Sequence, residues 1–409
     1  MSTTYKLPIG PVHVGLREPV TAWLELDGEQ IVNSTVIYGA IHRGIEFMSR
    51  TRNPIQVIYL SERICGICSF SNVIAFLRGI ENAACIIVPP RAQYIRTLVL
   101  ELERLQSHIL WAGVACYSIG FDSAFQLGML IREQVMDVLE ILTGNRVNYG
   151  VATVGGVRWD VTSELSDSVR KIISYYRREM SLFRDIVFED PIATARMKNV
   201  GVLSCEDAVR YCAVGPVARG SGLRMDLRHS SPYEAYCDIA VTPIVPQDYF
   251  NEVRGDVFDR FAVRIMEVYQ TLDILEKVFD GLPEGAIVSE PGINRILDSL
   301  KKAEGVGWGI IEAPRGDNTH IVTLKAEDEN VYRWKVRAPT YANAAALSLM
   351  LKDNELADAP LIINSIDPCM SCMDRMITIN KAGNRNYLSL SELMSKSRDK
   401  TRRMRGDQK

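Results

Sequence analysis

The sequence predicts an α+β chain, predominantly α: a long-helix bundle with a small N-terminal β-sheet. Three observations predict it. Residues 22–26 and 30–37 alternate in strand fashion around Asp27-Gly28, a hairpin signal. After Pro89-Pro90 the apolar spacing becomes helical, with Ile95, Leu98, Leu102, Leu105 and Ile109 on one amphipathic face. Long stretches of the same period then follow, each closed by a helix-stop residue.

Taken in order, the second helix covers about 124–143 and stops at Gly144, a C-terminal cap. Further helices are expected near 164–188, 257–279 and 341–357, the one at 257–279 ended by Gly281 and Pro283. Between them, residues 214–226 are glycine-rich and should loop close to the core, and 285–337 should hold irregular β elements. The chain divides into a β-rich segment, 1–60, a helical domain, 61–375, and a basic extension, 376–409. The last carries nine Lys/Arg against three Asp/Glu and reads as a solvated, partly disordered end.

Composition narrows the function. The chain has 409 residues, 47% hydrophobic and 24% charged, as ordinary globular proteins do. A net charge of −3 gives no global pull toward nucleic acid. No run reaches the roughly 18 apolar residues that span a bilayer. Nine cysteines without a signal peptide fit a reducing cytoplasm, where thiols are ligands or packing rather than disulfides. Cys85, Cys116, Cys205, Cys212 and Cys237 lack paired spacing and read as core residues.

The other four form two Cys-x-x-Cys pairs, Cys65/Cys68 and Cys369/Cys372, at opposite ends of the chain. Four thiolates on one buried centre would select a soft transition metal or an iron–sulfur unit over magnesium or calcium. The competing reading is a structural four-Cys zinc site, but such sites place their pairs within about 15–20 residues of each other. Here the first residues of the pairs stand 304 positions apart.

The flanks are Arg63-Ile-Cys65-Gly-Ile-Cys68 and Asp367-Pro368-Cys369-Met-Ser-Cys372. They resemble the paired signatures of the nickel–iron hydrogenase large subunit. Other segments resemble the 49-kDa subunit of respiratory complex I: Gly10-Pro-Val-His13, His42-Arg-Gly-Ile-Glu46, Pro90-Arg-Ala-Gln-Tyr-Ile-Arg96 and Glu101-Leu-Glu-Arg104. The mixture resembles membrane-bound, energy-converting hydrogenases.

The resemblance implies a nickel–iron centre whose iron carries CO and CN ligands, with Cys65 and Cys369 terminal on nickel and Cys68 and Cys372 bridging. It implies that Glu18 relays protons from Cys369 and that Arg315, in Ala313-Pro-Arg-Gly316, overhangs the metals. It puts Asn72 beside a bridging thiolate, in place of the usual His, and His320 in a structural role. Arg375 replaces a terminal His that shares magnesium with the counterpart of Glu46, so a Glu46–Arg375 ion pair is expected instead. Asp367 and Pro368 complete the surroundings, and Val14 stands where Pro is usual.

The function implied is reversible conversion of dihydrogen to protons and electrons. Electrons would pass through an iron–sulfur small subunit to ferredoxin. Membrane subunits would couple the reaction to ion transport, and this chain would lie peripherally on the cytoplasmic side. The alternative is a complex-I-like quinone- or sulfur-reducing subunit. Arg375-Met376 resembles the junction at which relatives lose a C-terminal extension after metal insertion, here 376–409; the alternative is that this tail stays, as a docking strand or a lipid-facing basic segment.

Overall fold

The computed structural model describes residues 4–373, 378–379, 382, 385–386 and 388–406. They belong to two compact units, 1–374 and 375–409. In the second unit, Leu390–Met404 is a helix whose N-terminus is closed by a Ser389/Glu392 capping box. The basic tail therefore carries more order than its composition suggested, because a good cap and helix-forming residues stand together there. Arg375 and Met376 lie outside the described residues.

The large unit is predominantly helical, as predicted. Strands β1 (Tyr5–Ile9), β2 (Thr21–Asp27) and β3 (Gln30–Ile37) form an antiparallel sheet in that order. Ala22, Leu24, Leu26 and Ile31 point inward and are fully buried. They share a core with Leu347, Met350, Leu351, Ile362, Ile363 and Met370, so the N-terminal sheet packs on the segment that leads to the second cysteine pair.

Helix α1 (Pro54–Glu62) starts at an Asn53/Gln56 capping box, and α2 (Ser69–Ala84) begins directly after Cys68. Helix α3 spans Pro90–Ser118, with proline at its first turn where no N–H is needed. Its predicted apolar face is buried, but so is the opposite one: Glu101, Glu103, Arg104 and His108 are 0–1% exposed. The helix is therefore enclosed on all sides rather than amphipathic. Helix α4 (Asp122–Thr143, capped by Gly144 at φ 75°) packs along it, and α5 (Ser163–Glu189) packs on α4. The short α6 (Gly215–Gly220) and the long α7 (Val257–Gly281) follow.

Four expectations need correction. Residues 214–226, expected to loop, contain the buried helix α6. The β elements in 285–337 are regular, an antiparallel sheet of β4 (Gly305–Ala313), β5 (Gly316–Leu324) and β6 (Arg333–Arg337). Alternate glycines let β4 lie against α2, since a Cβ on Gly307 or Gly309 would overlap the carbonyls of Gly79 and Ala75. The expected helix at 341–357 is broken into α8 (Pro339–Asn343) and α9 (Leu347–Leu351) with a 3-10 turn between. It stops because residues 353–354 bond to the edge of β3, through Asp353 N to Ile31 O and Ile31 N to Asn354 O, both 2.8 Å. Of the five unpaired cysteines only Cys116 is buried. Cys85 and Cys212 sit at positive φ (55° and 54°), in turns that close helical segments at the surface. Helix α10 (Ala359–Ser365) completes the unit before Cys369.

Candidate metal centre

The first cysteine pair lies in the loop between α1 and α2. The Cys65 sulfur accepts the backbone N–H of Ile67 (3.3 Å) and of Cys68 (3.4 Å), which folds the loop around it. The second pair follows α10. Asp367 takes a left-handed conformation, φ 52°, and turns the chain. Residues 370–372 then make a 3-10 turn in which Cys372 N bonds Cys369 O. The Cys369 N–H is held by Thr340 Oγ1 at 3.1 Å.

These two loops meet. Cys369 Sγ stands 3.4 Å from Cys65 Sγ, and Cys68 Sγ 4.0 Å from Cys372 Sγ. All four are free thiols and 3–4% exposed. Both separations are far beyond the roughly 2.05 Å of a disulfide. Among the described residues, the one set of three or more His, Cys, Asp and Glu side chains arranged to hold a metal is Cys65, Cys369 and Cys372, with sulfurs within 4.8 Å of one another. Arg43 clamps the loops from outside: its guanidinium donates to Arg63 O and Ile64 O on the first and to Ser371 O on the second.

The electrostatics explain why a cation belongs here. Donation from the Cys369 thiol, then from Cys372 and Cys68, holds the Cys65 thiol well below its usual range. Cys68 and Cys372 are pushed well above theirs by the neighbouring sulfurs and by burial. Four thiols this close cannot all ionise in a low-dielectric site unless positive charge joins them. Arg315 supplies part of it. Its Nε donates to Asp367 O at 2.9 Å and its Nη2 to Asp367 Oδ1 at 2.8 Å, while the buried Nη1 has no hydrogen-bond partner. That free N–H and the all-sulfur donor set fit a soft metal centre with anionic ligands, as a nickel–iron pair would be.

Glu18 enters from the loop before β2. One carboxylate oxygen accepts Met370 N at 2.9 Å, directly after Cys369. Burial raises its pKa, against the Met370 N–H and the Arg315 charge, which lower it. Glu18, Arg315, Asp367, Pro368, Ser107 and Trp111 line a cavity of about 160 Å³. Asn72 donates to Cys68 O at 2.8 Å and stands 3.8 Å from Cys68 Sγ, and Asn318 donates to the Asn72 amide oxygen at 3.1 Å. Asn318 fixes which end of the Asn72 amide faces the sulfur. His320 is buried on β5, accepts from Trp334 Nε1, and has its pKa lowered to about 3 by burial.

Glu46 is tied to β6. Its oxygens take the Lys335 ammonium and the Val336 N–H, and its expected partner Arg375 lies outside the described residues. With an ammonium already on the carboxylate, the described neighbours do not fit a magnesium site.

Sequence reasoning missed Thr340, Arg43, Asn318 and Glu103. Thr340 acts from α8 and Asn318 from β5, a meeting that no spacing reveals. Glu103 left a trace: a second acidic residue inside the apolar α3 period.

A family profile described as respiratory-chain NADH dehydrogenase, 49 Kd subunit, matches residues 118–375. Another, for nickel-dependent hydrogenase, matches residues 43–112. Membrane-bound hydrogenase subunit alpha of Pyrococcus furiosus is 44% identical over 97% of this chain and 93% of its own length. The chain belongs to this family of nickel–iron hydrogenase large subunits related to the complex I 49-kDa subunit. Formate hydrogenlyase subunit 5 of Escherichia coli is 39% identical, and this chain spans 63% of its length. Among solved structures, a chain of an archaeal membrane-bound sulfane sulfur reductase superposes with TM-score 0.84, at 31% identity, over 91% of this chain and 98% of that one. Among the described residues no helix is long and apolar enough to cross a membrane, and several relatives are named as parts of membrane-bound systems.

Proposed function

We propose that this chain is the catalytic large subunit of an energy-converting nickel–iron hydrogenase, interconverting dihydrogen with protons and electrons. The observation that carries the reading is the meeting of all four sulfurs, drawn from opposite ends of the sequence, in one buried cluster. Cys65 and Cys369 would be terminal ligands, and Cys68 and Cys372 would bridge nickel and iron. When bound, that metal pair supplies the acidic centre at which dihydrogen is split heterolytically, and the electrons released leave through it.

The surrounding residues handle charge and protons. Arg315, pinned by Asp367 on two nitrogens, offers the N–H groups of Nη1 to anionic groups at the centre. Cys369 receives a proton, and Glu18, whose carboxyl is shifted toward neutrality by burial, takes it on. Glu18 then releases it to water in the adjoining cavity. The Asn318–Asn72 pair directs an amide N–H toward Cys68 and tunes its basicity.

The electrons require an iron–sulfur partner subunit, with ferredoxin as carrier. Membrane subunits would hold the chain as a peripheral component on the cytoplasmic side. The similarity to a sulfane sulfur reductase favours a second reading, reduction of sulfur or quinone at the same place. A viologen-linked assay of the purified complex separates them. Hydrogen evolution from reduced viologen supports the first reading, and sulfide production without hydrogen evolution supports the second.

A further inference from the structure

Helix α2 begins with an anomaly. Its N-cap residue is Cys68, whose side chain makes no capping hydrogen bond. An N-cap side chain normally accepts the N–H of the second or third helical residue, and losing it costs about 0.5–2 kcal/mol. Here those residues are Phe70 and Ser71. Their N–H groups are instead taken by a side chain from another helix: Glu103 Oε1 accepts Phe70 N at 2.6 Å, and Oε2 accepts Ser71 N at 2.9 Å. The Ser71 hydroxyl donates to the same Oε2. Glu103 is fully buried, and among the described residues its hydrogen bonds come from residues 70 and 71 alone.

We propose that Glu103 is a positioning residue of the metal centre, a cap supplied by α3 so that the Cys68 sulfur stays free to bind metal. This rests on reading the four sulfurs as a metal site. A cysteine at an N-cap has two competing uses. Its sulfur can turn back to accept the exposed N–H groups of its own helix, or it can point away toward a ligand. With Glu103 occupying both N–H groups, the first use is closed and the sulfur faces Cys372. Burial pushes the Glu103 pKa up to about 8 even against the Ser71 and Phe70 donors, which lower it, and the three donors with the helix-end partial positive charge favour the carboxylate form. The carboxylate geometry matters as well as the charge. Both oxygens accept, which glutamine cannot reproduce because its amide nitrogen would face an N–H.

The test uses the purified complex with Glu103→Gln and Glu103→Leu. Amide hydrogen exchange over residues 69–72 reads the cap itself, without reference to metal. It should quicken about tenfold or more in both variants, with the remainder of α2 unchanged. Metal retention reads the positioning. Loss of the bound metal to a chelator should quicken by roughly 10–100-fold in Glu103→Leu, the usual effect of removing a group that orients a ligand, and less in Glu103→Gln. The measurement follows whichever metal the unaltered complex holds, so a wrong assignment of nickel would show in that control and leave this comparison intact. Vibrational bands of the iron's diatomic ligands should shift in the glutamine variant. Faster exchange at 69–72 with unchanged metal loss and bands would make Glu103 a helix cap only, and overturn the proposal. Unchanged exchange would overturn it too. If Glu103→Leu does not fold, the glutamine variant decides by the same criteria.

Discussion

The two cysteine loops reach the same centre by different means. The first is built on regular structure: it leaves a capped helix, wraps its backbone N–H groups around the Cys65 sulfur, and enters the 16-residue α2. The second follows a short helix, turns at a left-handed Asp367, and has a single 3-10 turn of its own. What the second lacks in regular structure is replaced by side chains from afar: Thr340 on the Cys369 N–H, Glu18 on the Met370 N–H and Arg315 on both the backbone and side chain of Asp367. Each loop is also closed by a remote carboxylate, Glu103 for the first and Glu18 for the second. The Glu103 oxygens are filled by residues 70 and 71, whereas Glu18 borders a cavity. The difference assigns the loops their work. Under the proposed function the first would be a fixed wall, and the second would be the side on which Glu18 and Arg315 meet protons and substrate.

Several substitutions would break or sharpen that contrast. Replacing one of the two sulfurs proposed to bridge the metals should erase it, since both walls fail together. Cys68→Ser and Cys372→Ser should each lose nickel and hydrogenase activity entirely, read by elemental analysis and a viologen assay. Full metal content with normal turnover in either would refute the shared site. Glu18→Gln should keep the metal, because an amide oxygen can still accept the Met370 N–H. It should lower hydrogen/deuterium exchange by roughly 10²–10⁴, the range for removing a general acid–base group. Unimpaired exchange would move the proton route elsewhere. Arg315→Lys keeps the charge but loses the planar fork on Asp367, and turnover should fall by roughly 10²–10³ with metal retained. The smallest effect is expected from Thr340→Val, which leaves the buried Cys369 N–H without its acceptor. It should lower stability by about 1–3 kcal/mol in thermal unfolding, while activity per bound nickel stays near normal.

How much of this could be read from the sequence depended on what held each part. The long helices were legible because their period and their stops are local: Pro90 opens α3 and Gly144 closes α4. The cysteine pairs were legible because their flanks are short and distinctive. The 341–357 segment was misjudged because its helical period is overridden by backbone bonds to β3, more than 300 residues earlier. The β4–β6 sheet looked irregular because the glycines of β4 carry no strand propensity and serve close packing on α2 instead. Glu103 escaped notice for a related reason. Its task is set by a helix N-terminus on another element, and although a second acidic residue beside Glu101 stands out in this apolar helix, nothing local says what it caps.

If one nickel–iron centre draws its sulfur ligands from both ends of the chain, nickel X-ray absorption on the purified complex reads it out. Four sulfur neighbours around nickel, with an iron scatterer just beyond them, is the predicted result. A nickel shell of nitrogen and oxygen, or zinc in the four-sulfur site with no nickel present, would contradict it.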